Sequence, residues 1–416
     1  MPHGFHCERE EWTFTTLPAM ACSGKTVLQT DLCYGVFMET SHTLALLLQK
    51  LHVKVVTHVP GYGATQVFQA WNRIAGTTRF SFHEEMAFTI AHGAALAGTR
   101  SAVLIKSHGL AKAGNSILDA VTAGTLAGLV IMVFDDRTGS HSDSIVDVES
   151  LVQGFHLPHL KCTGRLQEIE QAFQVSEQMQ LPVAVSIDAA LVERREKAVP
   201  MPQLPPFAGS FQRDVYRHLL CPVLAPHQHE ILHAKQTAQS WQNIPKPQLP
   251  VIPDGLPTDW QQAVQSYIPF FETFRPLRGR IVTGDTGLSA LFGFPPFDCI
   301  DLCTHMGGSL ALAIGAHLAG YDETWAITGD FSFVAAGHLG LVEAVERKLP
   351  LKVAILVNQK ALATGGQDVA ADHLQRLLAG YREAVQEVGG DDRAALQEAI
   401  CIANDRKKLS ILVVTL

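Results

Sequence analysis

The sequence predicts an α/β protein made of two doubly wound parallel-sheet domains joined by a long linker. Two observations carry the fold class. Short β-branched runs alternate with helix-length amphipathic segments over residues 36–194, and the same alternation returns over 278–416. That order is the pattern of parallel strands connected by crossover helices. A third observation separates the blocks: residues 195–277 are proline-rich and lack a sustained period, as expected of a linker crossing the surface.

Residues 1–35 show no periodicity and read as an irregular N-terminal extension. In the first block, TSHTLALLLQKL (40–51) is an amphipathic helix with Thr40 or Ser41 as its N-cap. VKVVTHV (53–59) is a strand ending in a Pro60-Gly61 turn. ATQVFQAWNRI (64–74) is a helix, and RFSFHEE leads into a third helix, EMAFTIAHGAALAG (85–98). SAVLIKS, LVIMVFDD and PVAVSID are strands, with a helix at SILDAVTAGTLAG. In the linker only HQHEILHAKQTAQSW (227–241) suggests a helix. The second block runs RIVTGD (strand), MGGSLALAIGAHLAG (helix), TWAITGD (strand), GHLGLVEAVERK (helix), LKVAILVN (strand). After the loop QKALATGGQD come helices over 369–385 and 392–405, and a final strand LSILVVTL.

Composition narrows the function classes. The chain has 416 residues, 47% apolar and 17% charged, with a net charge of −8. It has no Lys/Arg block and no interleaved basic-aromatic patch, so nucleic acid is not an expected partner. The longest apolar run, Ala127–Phe134, is too short to span a bilayer. The eight cysteines (Cys7, Cys22, Cys33, Cys162, Cys221, Cys299, Cys303, Cys401) contain no CxxC. They read as reduced thiols of a cytoplasmic protein.

One carboxylate stands out. The run Trp325-Ala326-Ile327 ends in Gly329-Asp330, so Asp330 sits at the tip of a buried strand, where an isolated carboxylate is costly unless paired or metal-bound. The next strand ends in Asn358, 28 residues on. If the strands are parallel neighbours, both side chains emerge at the C-terminal edge, where open α/β sheets bind ligands. A carboxylate, an amide, a loop carbonyl and phosphate oxygens make a hard-oxygen set suited to Mg²⁺. The helix start HMGGS offers backbone N–H groups to a phosphate. Read alone, Asp330 also fits a helix cap and Asn358 a turn former.

Gly329-Asp330, a crossover and Asn358 resemble the metal–diphosphate motif of thiamine-diphosphate (ThDP) enzymes, with Phe331 where that motif has a third-place glycine. FHEEMAFTIAHGAALAG (82–98) is similar to the helix of their pyrimidine domain, and counting back from Gly93 puts the family's glutamate at Glu84. LVIMVFDDRTGSHSDS, GDTGLSALFGFPP, HMGGSLALAIG and NQKALATGGQ resemble the α chain of indolepyruvate:ferredoxin oxidoreductases, and less closely phosphonopyruvate and sulfopyruvate decarboxylases. Unlike the oxidoreductase chains, this one shows no cysteine set for an iron–sulfur cluster.

The resemblance implies a pyrimidine-binding domain over 36–194 and a diphosphate/Mg²⁺ domain over 278–416. It implies ThDP and Mg²⁺ as cofactors. Glu84 would hold a proton at N1′ of the aminopyrimidine, aided by an apolar jacket of Phe82, Met86 and Phe88. Asp330, Asn358 and the Lys360 carbonyl would hold the metal. Gly284, Asp285, Met306, Gly307, Gly308, Ser309, Gly329 and Phe331 would line the cofactor, Met306 as the wedge that bends it. His108, His141 and His305 are candidate proton donors, and Arg137 a candidate for a substrate anion. The implied activity is non-oxidative decarboxylation of a small 2-oxo acid. The alternatives are the catalytic subunit of a 2-oxoacid oxidoreductase with a separate electron-transfer chain, and a carboligase. A homodimer or tetramer with interfacial sites is implied, with room for a second kind of subunit.

Overall fold

The computed structural model describes residues 37–416; the expected N-terminal extension, with Cys7, Cys22 and Cys33, lies outside the described residues. The first domain comprises β1 (Phe37–Glu39), α1 (Thr40–Lys50), β2 (Val55–His58), α2 (Ala64–Ala75), α3 (Glu84–Leu96), β3 (Ser101–Lys106), α4 (Ser107–Lys112) and α5 (Gly114–Ala123). It continues with β4 (Leu129–Asp135), α6 (Val148–Gly154), β5 (His159–Cys162), α7 (Leu166–Met179), β6 (Val183–Asp188) and β7 (Arg195–Lys197). Five strands form a parallel sheet in the order β2-β3-β4-β6-β5. All seven residues of β4 are buried, as an unbroken apolar strand covered on both faces requires. Neither Thr40 nor Ser41 caps α1 as expected: Glu39 occupies that position. The Thr40 hydroxyl instead donates to the Arg194 carbonyl at 3.2 Å, where β1 pairs antiparallel with β7.

The middle segment does not cross the surface as its prolines suggested. It forms α8 (Val215–His218), α9 (Ala225–Gln236), α10 (Thr258–Val264) and α11 (Ile268–Phe274). Phe270, Phe271 and Phe274 are fully buried in one cluster with Phe292 and Trp325 of the second domain, and the Phe271 and Phe292 rings stack at 4.0 Å. The i, i+1, i+4 spacing of these phenylalanines makes a narrow apolar stripe; the flanking prolines hide it in the sequence. The segment is also fastened to the first domain. Lys235 donates to the Gln180 carbonyl at 3.0 Å, and His218 bonds the Ala123 carbonyl at 2.9 Å.

The second domain comprises β8 (Ile281–Asp285), β9 (Leu302–Thr304), α12 (Ser309–Leu318), β10 (Thr324–Gly329), α13 (Asp330–Ser332), α14 (His338–Glu346) and β11 (Lys352–Val357). A small hairpin follows, β12 (Lys360–Ala361) and β13 (Gln367–Asp368), then α15 (Ala371–Leu378), β14 (Val385–Gly389), α16 (Arg393–Asp405) and β15 (Ser410–Thr415). The sheet is parallel, in the order β14-β15-β11-β10-β8-β9. The helix expected over 369–385 is only α15. The chain leaves α-helical geometry near Tyr381 (φ −120°), and Val385 pairs with Ile411 as an edge strand. Partner strands decide such pairing, which local propensity cannot show.

The domains meet where α3 crosses α12. A Cβ on Gly93 would lie 2.3 Å from the Leu312 carbonyl oxygen, and one on Gly315 2.0 Å from that of Ile90. Two glycines thus let the helix backbones touch. No described helix is long and apolar enough to cross a membrane.

Candidate active site

β10 and β11 are parallel neighbours with Gly329 opposite Leu356, so Asp330 and Asn358 emerge side by side, as the sequence predicted. Strand order reverses here: β9 lies on one side of β8 and β10 on the other. Ligands bind at such switch points in open α/β sheets. A cavity of about 150 Å³ opens at this edge, and Met306, Gly329, Asp330, Phe331, Asn358 and Lys360 line it. So do Tyr267, Thr286, Gly287, Ser289 and Thr364, which sequence reasoning missed. The GDTG loop after β8 was a usable signal for two of these, Thr286 and Gly287; Tyr267 had none, because it arrives from the middle segment.

Asp330 is 3% exposed. Its Oδ1 accepts the Phe331 N–H at 2.9 Å and its Oδ2 the Gln359 N–H at 2.7 Å. Burial pushes its pKa up, against these bonds. Among the described residues no cationic side chain forms an ion pair with it, and the nearby Lys360 ammonium pairs with Asp368 at 3.3 Å. A buried carboxylate without a cation, with lone pairs to spare, suits a divalent metal. No three His, Cys, Asp or Glu side chains gather to hold a metal among the described residues. A cation here would therefore need phosphate oxygens as further ligands, the usual habit of Mg²⁺. Phe331 needs no glycine's freedom because Asp330–Ser332 is right-handed helix. A π-helical turn follows over Phe333–Gly337, a distortion frequent at functional sites.

Five residues expected to line the cofactor do not line this cavity. Asp285 is 1% exposed; its carboxylate accepts the Ser309 N–H at 2.7 Å and the Thr328 hydroxyl. Burial raises its pKa to about 6. It anchors the first turn of α12. Gly284, Gly307 and Gly308 are packing glycines. Added Cβ atoms would lie 3.0 Å from Ile300, 2.6 Å from the Gly337 nitrogen and 2.6 Å from Thr304 respectively. Ser309 is fully buried.

The glutamate half of the predicted site stands elsewhere. Glu84 opens α3 and does not line the Asp330 cavity. Its surroundings differ from the expected apolar jacket: Phe82 is 51% exposed, while Met86 and Phe88 turn into the core. The Lys112 ammonium lies 2.8 Å from Glu84 Oε2. Gly109 makes room, since a Cβ there would be 3.0 Å from Glu84 Cγ.

The histidines are all engaged. His108 Nε2 is 2.9 Å from Ser144 Oγ. The His141 ring stacks on Tyr62 at 3.9 Å, and its backbone N–H donates to Asp136 Oδ2 at 2.7 Å. Burial opposes ionisation of Asp136, yet bonds from His141, Ser142, Thr138 and Ser140 hold its pKa near 2, so this loop is organised around an anion of its own. Arg137 is committed to Asp135 at 2.9 Å. His305 is 3% exposed and does not line the cavity. Its Nε2 lies 3.0 Å from Thr89 Oγ1 and its Nδ1 3.2 Å from the Met306 carbonyl. Both ring nitrogens are thus held by protein partners.

Comparison with known proteins places this geometry. The chain is 27% identical over 191 residues to indolepyruvate oxidoreductase subunit IorA of Methanothermobacter thermautotrophicus, covering 44% of this chain and 30% of that protein. It thus spans under a third of that relative's length. Its fold is similar to 4-hydroxybenzoylformate decarboxylase of Rhodococcus jostii (TM-score 0.61, 14% identity, 91% of this chain and 99% of that one). It is similar also to benzoylformate decarboxylase of Polynucleobacter necessarius (0.60, 13%, 91% and 99%). The family "thiamine pyrophosphate enzyme, C-terminal TPP binding domain" matches residues 285–403, the stretch holding Met306, Asp330 and Asn358. Residues 285–403 thus match the C-terminal TPP-binding domain of thiamine-diphosphate enzymes. The donor set of the cavity at the β8/β10 switch point fits a magnesium-bound diphosphate end. It offers a buried uncompensated carboxylate, a carboxamide and loop backbone. The opening is too small for a whole cofactor, since complete ligand pockets run to about 300–1,000 Å³.

Proposed function

We propose that the chain catalyses Mg²⁺-dependent, non-oxidative decarboxylation of a 2-oxo acid. The observation that carries this reading is Asp330: buried, bonded only to backbone N–H groups, lacking a cation, and beside Asn358 at the switch point. Asp330, Asn358 and the Lys360 carbonyl would hold Mg²⁺ together with diphosphate oxygens. Met306, 36% exposed at the cavity wall and backed by His305, would set the cofactor's bend. ThDP, when bound, supplies a nucleophilic carbon for the 2-oxo group and an electron sink for the departing CO₂. Glu84 would hold the proton at the aminopyrimidine N1′.

Glu84 lines neither of two cavities that Asp330 borders in one chain. We therefore place the complete site between two copies, the Glu84 half of one facing the Asp330 half of the other. Exposed apolar side chains stand at both halves: Phe80 and Phe82 just before Glu84, Phe331 and Met306 at the cavity.

The likeness to two decarboxylase folds supports lyase activity. The IorA match favours a second reading, the catalytic subunit of an oxidoreductase whose electron carrier is another chain. The test is CO₂ release from a panel of 2-oxo acids with ThDP and Mg²⁺, with and without an artificial electron acceptor. Release without acceptor is expected. Release only with acceptor would overturn the lyase reading in favour of the second.

A further inference from the structure

Tyr267 reaches the cavity from outside the matched family segment. It sits in the turn between α10 and α11, is 4% exposed, and its ring stacks near that of Phe292 at 6.0 Å. It lines the cavity together with residues of the loops that follow β8 and β11.

The hydrogen bonds define how Asn358 is turned. The Lys360 N–H can only donate, and it points at one end of the Asn358 carboxamide at 2.7 Å. That end must be the oxygen. The amide NH₂ then faces Tyr267 and donates to its hydroxyl oxygen. With its oxygen accepting, the phenol keeps its own proton for another acceptor.

We propose that Tyr267 is a positioning residue for the metal site: it clamps the Asn358 amide so that the carboxamide oxygen faces the cation. Its free O–H donates into the same cavity, to a diphosphate oxygen. Without the clamp the Lys360 N–H alone holds the carboxamide, whose oxygen is then free to tilt away from the cation. The inference rests on the assignment of Mg²⁺ and diphosphate to this cavity.

The test is Tyr267→Phe, which keeps the ring stack and deletes one oxygen. ThDP binding to the full chain is followed by quenching of tryptophan emission while Mg²⁺ is titrated, with Asp330→Ala alongside. Loss of a group that orients a metal ligand weakens metal binding about 10–100-fold. Tyr267→Phe should therefore raise the half-saturating Mg²⁺ concentration by about that factor, while the thermal midpoint of the cofactor-free protein stays put. A purely structural role would move that midpoint and leave the Mg²⁺ requirement alone. Wild-type Mg²⁺ dependence in Tyr267→Phe, with Asp330→Ala impaired, overturns the inference. Wild-type behaviour in both variants overturns the metal site itself.

Discussion

Replacing Asp285 by asparagine should stabilise the protein, and by an amount that depends on pH. Asp285 is 1% exposed, and burial raises its pKa from the usual 3.8 to about 6. At roughly 1.4 kcal/mol per unit, a gap of about two units makes its ionisation cost about 3 kcal/mol in the folded state. The sign follows from proton binding. Between 3.8 and about 6 the native state holds this proton more often than the unfolded chain does. Stability therefore falls as pH rises through that window; the cost is absent below it and complete above it. The substituted carboxamide can keep both contacts. Its oxygen accepts the Ser309 N–H, and its NH₂ donates to Thr328 Oγ1, whose hydroxyl turns to the Gly329 carbonyl, 3.3 Å away. Urea unfolding followed by tryptophan emission should show wild type and Asp285→Asn nearly equal around pH 4. By about pH 7.5 the variant should be ahead by about 3 kcal/mol. A gap that does not grow with pH, or a less stable variant at about pH 7.5, would refute the account of Asp285 as a structural carboxylate.

Two further outcomes test the interfaces. Glu84→Gln and Asp330→Ala should each be inactive, yet an equimolar, reassembled mixture should regain about a quarter of wild-type turnover. Half the dimers are then mixed, and each of those carries one intact site of two; no recovery would place both residues in a site within one chain. Gly315→Ala drives a Cβ to 2.0 Å from the Ile90 oxygen and should cost about 3 kcal/mol in thermal unfolding. Gly154→Ala, whose Cβ meets nothing within 4 Å, should be neutral or gain up to about 1 kcal/mol.

The division between what the sequence determined and what the tertiary structure decided follows the range of the physics. Strand runs, crossover helices and the Asp330/Asn358 pair were legible because each depends on local patterning: period, strand-end position and a spacing of one crossover. Phe331 at the third motif position proved compatible because local backbone geometry is right-handed helix there. The rest needed partners distant in the chain. The contacts of Asp285 with Thr328 and Ser309, and of Gly307 with Gly337, could not be read from the sequence. Lys112, 28 positions from Glu84, replaces an apolar jacket with an ion pair. The proline-rich stretch concealed three core phenylalanines and Tyr267, because burial is set by what packs against a side chain and not by its neighbours in sequence. The separation of Glu84 from the Asp330 cavity belongs to the same class: one strand edge can be read from spacing, whereas the relative placement of two sheets is decided where α3 and α12 touch through Gly93 and Gly315.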